Sequence, residues 1–211
     1  MSGKASATGG MKFGRRRGWM AVASFSAWLA CGLMAPAAIA CAVIPAPIRD
    51  IDAVEFRGNA GIGIDPGLRA RNDAAMEPAR TFLRLVSAAA DHFVTDEKAS
   101  AAMCTLTGLR QWAEAQALLG SVPNMQAERE RAALLGGFAF AYLKTKGEAS
   151  AADRVVIDAW LDKLAAGVES GYGDQARPGI RSLELAGLAA MAVGAATGDR
   201  EHWRFGEKAY E

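Results

Sequence analysis

Residues 101–144 contain two apolar stripes that repeat every three or four residues. Such spacing puts apolar side chains on one face of a helix. The first stripe is Met103, Leu106, Leu109, Trp112, Ala113 and Ala117, and the second is Leu134, Leu135, Phe138, Ala141 and Tyr142. Gly120, Pro123 and Asn124 lie between the stripes and are typical of a helix end followed by a helix start. The short connection predicts an antiparallel helix hairpin.

The rest of the chain repeats this pattern. We predict helices over residues 78–95, 150–170 and 183–197, and a last amphipathic piece after residue 198. Pro78 fits the first turn of the first of these helices. No alternation typical of a strand extends beyond a few residues. The sequence therefore predicts an all-α fold of antiparallel helix hairpins.

Residues 41–67 differ from this pattern because they are rich in Pro and Gly and have no helical period. They predict an extended segment followed by a loop over residues 57–67. Gly58, Gly61 and Gly63 lack the strand-turn-helix context of a phosphate-binding loop. The loop is either a mobile segment at the rim of a site or a plain connector.

The first 40 residues predict a cleaved signal peptide. Basic residues between positions 12 and 17 precede an uncharged run over residues 19–34, and small residues stand before a cleavage point after Ala40. The alternative is a membrane anchor, although the apolar run is short for a spanning helix. Removal of residues 1–40 leaves residues 41–211 as one helical domain.

The charge of the chain argues against nucleic acid as a partner. The full chain has 24 basic and 23 acidic residues. Five of the basic residues and none of the acids lie in residues 1–40, so the remaining chain has 19 basic and 23 acidic residues and a net charge of −4. A protein that binds nucleic acid is expected to show a basic face or stripe, and this sequence predicts none.

The cysteines allow two interpretations. Cys31 leaves with the signal peptide, and the remaining pair is Cys41 and Cys104. An even pair in an exported protein favours a disulfide over two free thiols. In the alternative, Cys41 is a lipidated first residue. Ala38 is a poor match to the large aliphatic residue that a lipidation signal usually has three positions upstream.

No catalytic constellation stands out from spacing alone. His92 and His202 are far apart in sequence, so we predict neither a metal-binding pair nor a cofactor. The Gly-x-Ser-x-Gly motif of a nucleophile elbow does not occur in the sequence. Two pairs of acids on one predicted helix are possible carboxylate pairs, namely Asp153 with Asp158 and Asp162 with Glu169. On the amphipathic helix over residues 150–170, such residues more often form the solvated face.

Several segments between residues 41 and 211 form a specific set when they are taken together. They are CAVIPAP, IDPGLRARNDAA, CTLTGLRQWAEAQALLG, QAERERAALLGGFAFAYLK and AGLAAMAVGAATGDR, in this order. As a set they resemble the alginate lyase family of periplasmic polysaccharide lyases. The resemblance implies export to the periplasm and part of an (α/α) toroid of antiparallel helix hairpins. It also implies a Cys41–Cys104 bridge, because family members carry cysteines at both places. Family members continue for about as much again, so the chain corresponds to the N-terminal portion of the toroid.

The resemblance implies β-elimination on a uronate polymer. Active members have Asn-Asn-His at the positions of Ile180, Arg181 and Ser182. A serine needs a base of its own and an arginine stays protonated, so neither replaces the histidine simply. Ala132 and Ala133 likewise replace a Lys-Trp pair. We therefore assign no catalytic residue, and we predict that the catalytic function is impaired.

One interpretation is a lyase with impaired catalysis that acts on an acidic polysaccharide such as alginate. A second is a non-catalytic relative that holds or guides such a polymer, and its predicted contacts are Trp112, Arg131 and Arg181, with Arg57 in the loop. A third interpretation is a fragment without a function of its own. The arginines have a plainer alternative, which is pairing with nearby acids on the helix surfaces. We expect no membrane partner after signal cleavage.

The amphipathic piece after residue 198 contains three large apolar residues. Trp203, Phe205 and Tyr210 predict an apolar face that has no partner in this chain. An exposed apolar face favours association. The sequence therefore predicts that the protein associates through its C-terminal helix.

Overall fold

The structure is a computed structural model that describes residues 41–54, 63–173 and 180–211, apart from the side chains of residues 180 and 181. The predicted signal peptide over residues 1–40 lies outside these ranges. Within them the chain forms α1 (Pro66–Asp96), α2 (Ala99–Glu114), α3 (Met125–Thr145), α4 (Ala151–Gly173), α5 (Ile180–Thr197) and α6 (Arg200–Ala209). A short 3-10 turn, Lys146–Glu148, follows α3. The described residues contain no strand, and the predicted all-α class is confirmed.

None of the helices in the described ranges combines the length and the apolar content that crossing a membrane requires.

Helices α1, α3 and α5 lie side by side and run parallel. Between α1 and α3, Arg80 contacts Glu130, and farther along both helices Asp91 contacts Lys144. Between α3 and α5, Gly136 lies next to Ala189, and Lys146, directly after α3, contacts Ala196 near the end of α5. Consecutive helices instead run antiparallel. In α3 and α4, for example, Arg131 contacts Gly167, whereas Tyr142 near the end of α3 lies by Asp158 near the start of α4. The predicted hairpins are therefore present.

A cluster of aromatic rings joins the first four helices. Phe82 of α1 stacks on Trp112 of α2 with ring centroids 4.1 Å apart and an interplanar angle of 10°. Phe138 of α3 lies 5.2 Å from the Phe82 ring and 5.6 Å from Trp160 of α4. Stacked and tilted aromatic pairs add to the stabilisation that comes from burying their large apolar area. This cluster is the centre of the core.

Helix α1 begins earlier than the sequence predicts. It starts at Pro66, where the Asp65 carboxylate accepts hydrogen bonds from the backbone N–H groups of Gly67 at 2.8 Å and Leu68 at 3.1 Å. Asp before Pro is a favourable start for a helix because it combines an N-cap with a first-turn proline. The prediction that Pro78 begins the helix is wrong, since Pro78 lies inside α1.

Helix α2 ends earlier than predicted. It stops at Glu114, whereas the apolar stripe continues to Ala117. Beyond the helix Gln116 and Leu118 adopt positive φ angles of 51° and 60°. This turn directs the Leu118 N–H to the Ile48 carbonyl at 2.9 Å. The helix therefore ends before the stripe does, and the backbone pairs instead with a segment that is distant in sequence.

That segment, residues 41–54, is the N-terminal strap. Its first residue forms the Cys41–Cys104 disulfide, so the predicted bridge is confirmed. A sulfur in this bridge is not free to carry a lipid. Farther along, the strap accepts a hydrogen bond from the Trp112 indole N–H at Pro45 O, 3.3 Å away. Ile51 is fully buried. The strap is therefore part of the packed domain.

Helix α6 does not present one apolar face. Phe205 is partly buried against the core, whereas Trp203 and Tyr210 are exposed. The residues that α6 buries are His202 and Gly206. At about 100° per residue, Phe205 lies roughly 200° around the axis from Trp203. The predicted continuous face is therefore wrong, and association through α6 stays a prediction.

Candidate functional site

The structure separates the residues that were predicted to contact a polymer. Trp112 is 0% exposed and stacks in the aromatic core, so it is out of reach of a polymer at the surface. The side chain of Arg181 lies outside the described residues, and so does Arg57. Arg131 and Ser182 remain. Each of them lies near Tyr172 of α4, where the start of α3, the end of α4 and the start of α5 come together.

Arg131 is held by two acceptors. Its Nη2 atom donates to Glu128 Oε2 at 2.6 Å and to the Gly167 carbonyl of α4 at 2.5 Å. The arginine is only 8% exposed, so the ion pair is partly shielded from water. Pairing with a neighbouring acid was the plainer alternative for this arginine, but the pair is buried between helices instead of lying on a helix surface.

Two glycines of α4 make room for this pair. A Cβ atom at Gly167 would lie 2.8 Å from Arg131 Nη1, and one at Gly171 would lie 2.6 Å from Glu128 Cδ. The glycines are four residues apart and therefore share one face of the helix. Neither glycine was predicted to have this role, because the predicted helix ended at residue 170. The Gly-x-x-x-Gly spacing at the end of an amphipathic helix was the available signal.

Tyr172 completes the cluster on α4. Burial and the nearby Glu128 carboxylate raise the pKa of its phenol above the usual value, and Ser182 acts on this pKa in the opposite direction. Burial also raises the pKa of Glu128, and the Arg131 charge opposes that rise. We call Glu128, Arg131, Tyr172 and Ser182 the polar junction. It joins residues of three helices in a poorly solvated place.

The polar junction has hydrogen-bonding capacity to spare. Within the described ranges, the buried Nε atom of Arg131 has no hydrogen-bond partner, and the buried Tyr172 hydroxyl has none apart from the nearby Ser182 hydroxyl, which leaves the phenol proton without an acceptor. Buried polar atoms are normally paired, so atoms of this kind indicate a place where water or a ligand group binds. Both groups are donors at neutral pH, because arginine stays protonated and the Tyr172 pKa is raised. Arg131 is 8% exposed and Tyr172 is 2% exposed, so a carboxylate or a sugar hydroxyl of a polymer reaches these donors only once the junction opens.

A base for proton abstraction is harder to find among the described residues of the junction. No histidine belongs to it, because His92 lies on the exposed surface of α1 and His202 lies on α6. The Glu128 carboxylate is already bound by Arg131. Ser182 stands at the place where the resemblance implies histidine. The arrangement is thus better suited to binding an anionic group than to removing a proton.

A second cluster surrounds His202 between α4 and α6. Its Nδ1 atom lies 2.7 Å from Glu169 Oε1 and its Nε2 atom lies 3.6 Å from Asp162 Oδ1. The expectation that these carboxylates form a solvated face holds only in part, because α6 packs beside them and leaves the Glu169 side chain 22% exposed and the Asp162 side chain 39% exposed. Across the described ranges, no set of three or more His, Cys, Asp or Glu side chains is placed to hold a metal ion.

The His202 cluster predicts a pH-dependent stability. The hydrogen bond to Glu169 raises the His202 pKa above its usual value of 6.5, with further help from Asp199 and Asp162. The protonated histidine therefore stabilises the folded protein fully below pH 6.5, and this contribution is lost as the pH rises through the raised pKa. We expect the melting temperature to fall across that interval and the fall to be much smaller in His202→Gln.

The control for this prediction is His92→Gln, which changes the exposed histidine of α1. Thermal melts of the three proteins over a pH series would measure the difference. If His92→Gln and His202→Gln flatten the curve equally, the Glu169 contact is not the cause.

Comparison with known proteins agrees with the resemblance at a coarse level. No family model matches the chain. The chain is 33% identical over 181 residues to a protein of Stenotrophomonas maltophilia (strain K279a) named polysaccharide lyase. The alignment covers 84% of this chain and 55% of that protein, so the chain spans about half the length of the curated relative it matches. The similarity is thus to part of a polysaccharide lyase, and that protein's name gives no substrate.

Proposed function

We propose that this chain is part of a lyase that acts on an acidic uronate polysaccharide such as alginate by β-elimination. The similarity to the polysaccharide lyase supports the reaction class. The observation that supports the polar junction as the binding site is the pair of buried donors on Arg131 and Tyr172, which have no acceptor in the described ranges and would meet a sugar carboxylate once the junction opens.

These groups match one half of the chemistry. In β-elimination on a uronate, neutralisation of the sugar carboxylate acidifies the neighbouring C5 proton. A base then removes that proton, and an acid protonates the departing glycosidic oxygen. Arg131 has a permanent positive charge for the carboxylate, and Tyr172 keeps its proton and can donate it in a hydrogen bond.

A second candidate is a protein that holds the same polymer without cleaving it. The observation that favours it is the composition of the polar junction, in which Ser182 replaces the histidine and Glu128 is bound by Arg131. For this reason we expect elimination by the chain alone to be weak or absent.

The remaining parts of the proposal concern architecture and location. Parallel neighbours α1, α3 and α5, joined through antiparallel helices, are what a closed ring of hairpins requires, and we propose that they form part of an (α/α) toroid. We also propose that residues 41–211 act in the periplasm after removal of residues 1–40. Formation of the Cys41–Cys104 disulfide suits that oxidising compartment.

The test mixes the purified protein with alginate and with a neutral polysaccharide and follows two signals. Ultraviolet absorbance reports the conjugated double bond that elimination creates, and calorimetry reports binding. We expect binding to alginate but not to the neutral polymer. A rise in absorbance with alginate would identify the lyase, and binding without a rise would identify the second candidate. If neither signal appears, the proposal fails.

A paired substitution tests the polar junction. Arg131→Gln together with Glu128→Gln removes both charges at once, because a single change would leave a buried charge unpaired. We expect the affinity for alginate to fall about tenfold, the size of one lost hydrogen bond to a charged group. Arg154→Gln, an exposed arginine at the opposite end of α4, is the control and should bind like wild type. Equal affinities in all three proteins would place polymer binding elsewhere.

A further inference from the structure

A groove lies where α5 ends and α6 begins. Its volume is about 410 Å³, and its wall includes Gly194 of α5 together with Trp203 and Glu207 of α6. A Cβ atom at Gly194 would lie 2.7 Å from the Asp199 carbonyl oxygen and 2.9 Å from the Trp203 backbone nitrogen. The missing side chain therefore allows the start of α6 to lie directly on α5. We call this concavity the α6 groove.

The carboxylates of the α6 groove are already in use. Asp199 caps α6 by accepting a hydrogen bond from the Glu201 N–H at 2.7 Å. Glu207 accepts a hydrogen bond from the Trp203 indole N–H at 2.9 Å. The first N–H groups of α6 are thus capped by the chain itself, and the helix start alone is not a ligand site.

The arginines of the α6 groove differ in their partners. Arg204 pairs with Glu201. Arg200 is exposed and, within the part of the chain that the structure describes, has no ion pair or hydrogen bond from its side chain. It is therefore the charged side chain of this wall that is available to a ligand, and its charge favours an anion. A guanidinium can bind a carboxylate through two parallel hydrogen bonds.

Trp203 provides an apolar surface beside that charge. Its side chain is 41% exposed although it is large and apolar. The hydrogen bond to Glu207 limits its rotation, so the ring keeps a defined orientation. Pyranose rings carry patches of C–H groups that pack against flat aromatic rings. A flat ring next to a free guanidinium is therefore suited to a sugar that carries a carboxylate.

We infer that the α6 groove is a separate binding subsite for one acidic sugar unit, which packs on Trp203 and pairs its carboxylate with Arg200. The identity of the sugar rests on the proposed function. The subsite itself goes beyond it, because Ser182 and Gly194 are twelve residues apart on α5, a distance of about 18 Å along a helix. A polymer that reached both places would be held by the protein at two points.

The experiment measures binding of alginate oligosaccharides of one defined length by calorimetry in every variant, and also by the change in tryptophan fluorescence in the variants that keep Trp203. A neutral oligosaccharide of equal length is the reference ligand. We expect Trp203→Ala and Arg200→Gln each to weaken binding about tenfold, the loss that corresponds to one charge-assisted or aromatic contact. Trp203→Phe should restore most of the affinity, because it keeps a flat ring.

Phe140→Ala is the matched control for Trp203→Ala, since Phe140 is 42% exposed on α3 and lies outside the groove. It should bind like wild type. Wild-type affinity in both Trp203→Ala and Arg200→Gln would overturn the subsite. If those two variants bound like wild type while the double variant Glu128→Gln with Arg131→Gln lost binding, the proposed function would stand without the subsite. If the two groove variants lost binding while the double variant bound like wild type, the α6 groove would be supported and the polar junction would be excluded as the polymer site. Equal binding of the neutral oligosaccharide would overturn the inference of an acidic sugar.

Discussion

Replacing Cys41 and Cys104 together by serine is expected to lower the free energy of unfolding by about 4 kcal/mol. The two cysteines are 63 residues apart in sequence, so the bridge closes a long loop in the unfolded chain. A long closed loop restricts the unfolded ensemble strongly, and this restriction is the main source of disulfide stabilisation in the chain-entropy description. Urea unfolding of oxidised wild type and of the double variant would measure the difference.

Two controls separate the bridge from the packing of the strap. Wild type treated with reductant should unfold like the double variant, and reductant should leave the double variant unchanged. The Trp112–Pro45 and Leu118–Ile48 hydrogen bonds do not depend on the sulfurs. If the double variant loses less than about 1 kcal/mol, these contacts are sufficient to hold the strap without the bridge.

Phe138→Ala is expected to lower the free energy of unfolding by about 4 kcal/mol, as for other large aromatic residues removed from a core. Phe138 is fully buried, and its ring lies 5.2 Å from Phe82, 6.0 Å from Trp112 and 5.6 Å from Trp160. The substitution would therefore leave a cavity against three helices. The matched control is Phe140→Ala on the same helix, where the side chain is 42% exposed and the expected change is within about 0.5 kcal/mol.

The two phenylalanine variants have the same chemical change and the same helix, so their difference isolates burial. Urea unfolding would measure both. Similar losses in the two variants would contradict the assignment of the core to the aromatic cluster. A loss confined to Phe138→Ala, with altered fluorescence of the buried tryptophans, would support it.

The helices were predictable because their apolar residues recur with the period of a helix. Leu106, Leu109 and Trp112 of the first stripe are buried as predicted, and so are Leu134, Leu135 and Phe138 of the second. Met103 is the exception, because it is 61% exposed near the start of α2. Spacing of this kind depends only on residues within a few turns of one another. It therefore predicted the helix class and the hairpins, together with most of the core.

The ends of two helices were less predictable, for different reasons. The start of α1 was locally encoded in Asp65-Pro66, and the prediction failed by preferring Pro78. The end of α2 was not locally encoded, because Gln116 and Leu118 leave the helix to meet the N-terminal strap. Pairing with a distant segment can offset the loss of the last helical turn, and no local pattern reports that exchange.

The candidate sites divide in the same way. Arg131 and Ser182 were identified by resemblance, and the cysteine pair by parity together with resemblance. The sequence did not predict that Arg131 is buried against Gly167, or that Trp112 is buried in the core. The approach of Glu169 to His202 was also unexpected, because these residues belong to different helices.

Helical period operates over a few residues, and for this protein it was enough to specify an all-α domain. Cysteine parity favoured a disulfide between Cys41 and Cys104, and the family resemblance implied the same pairing. The polar junction, the His202 cluster and the α6 groove depended on which helix faces came into contact after folding. Burial, hydrogen-bond partners and pKa shifts arise from neighbours that are distant in the chain. For that reason the chemistry of these sites became visible only once the helices were packed.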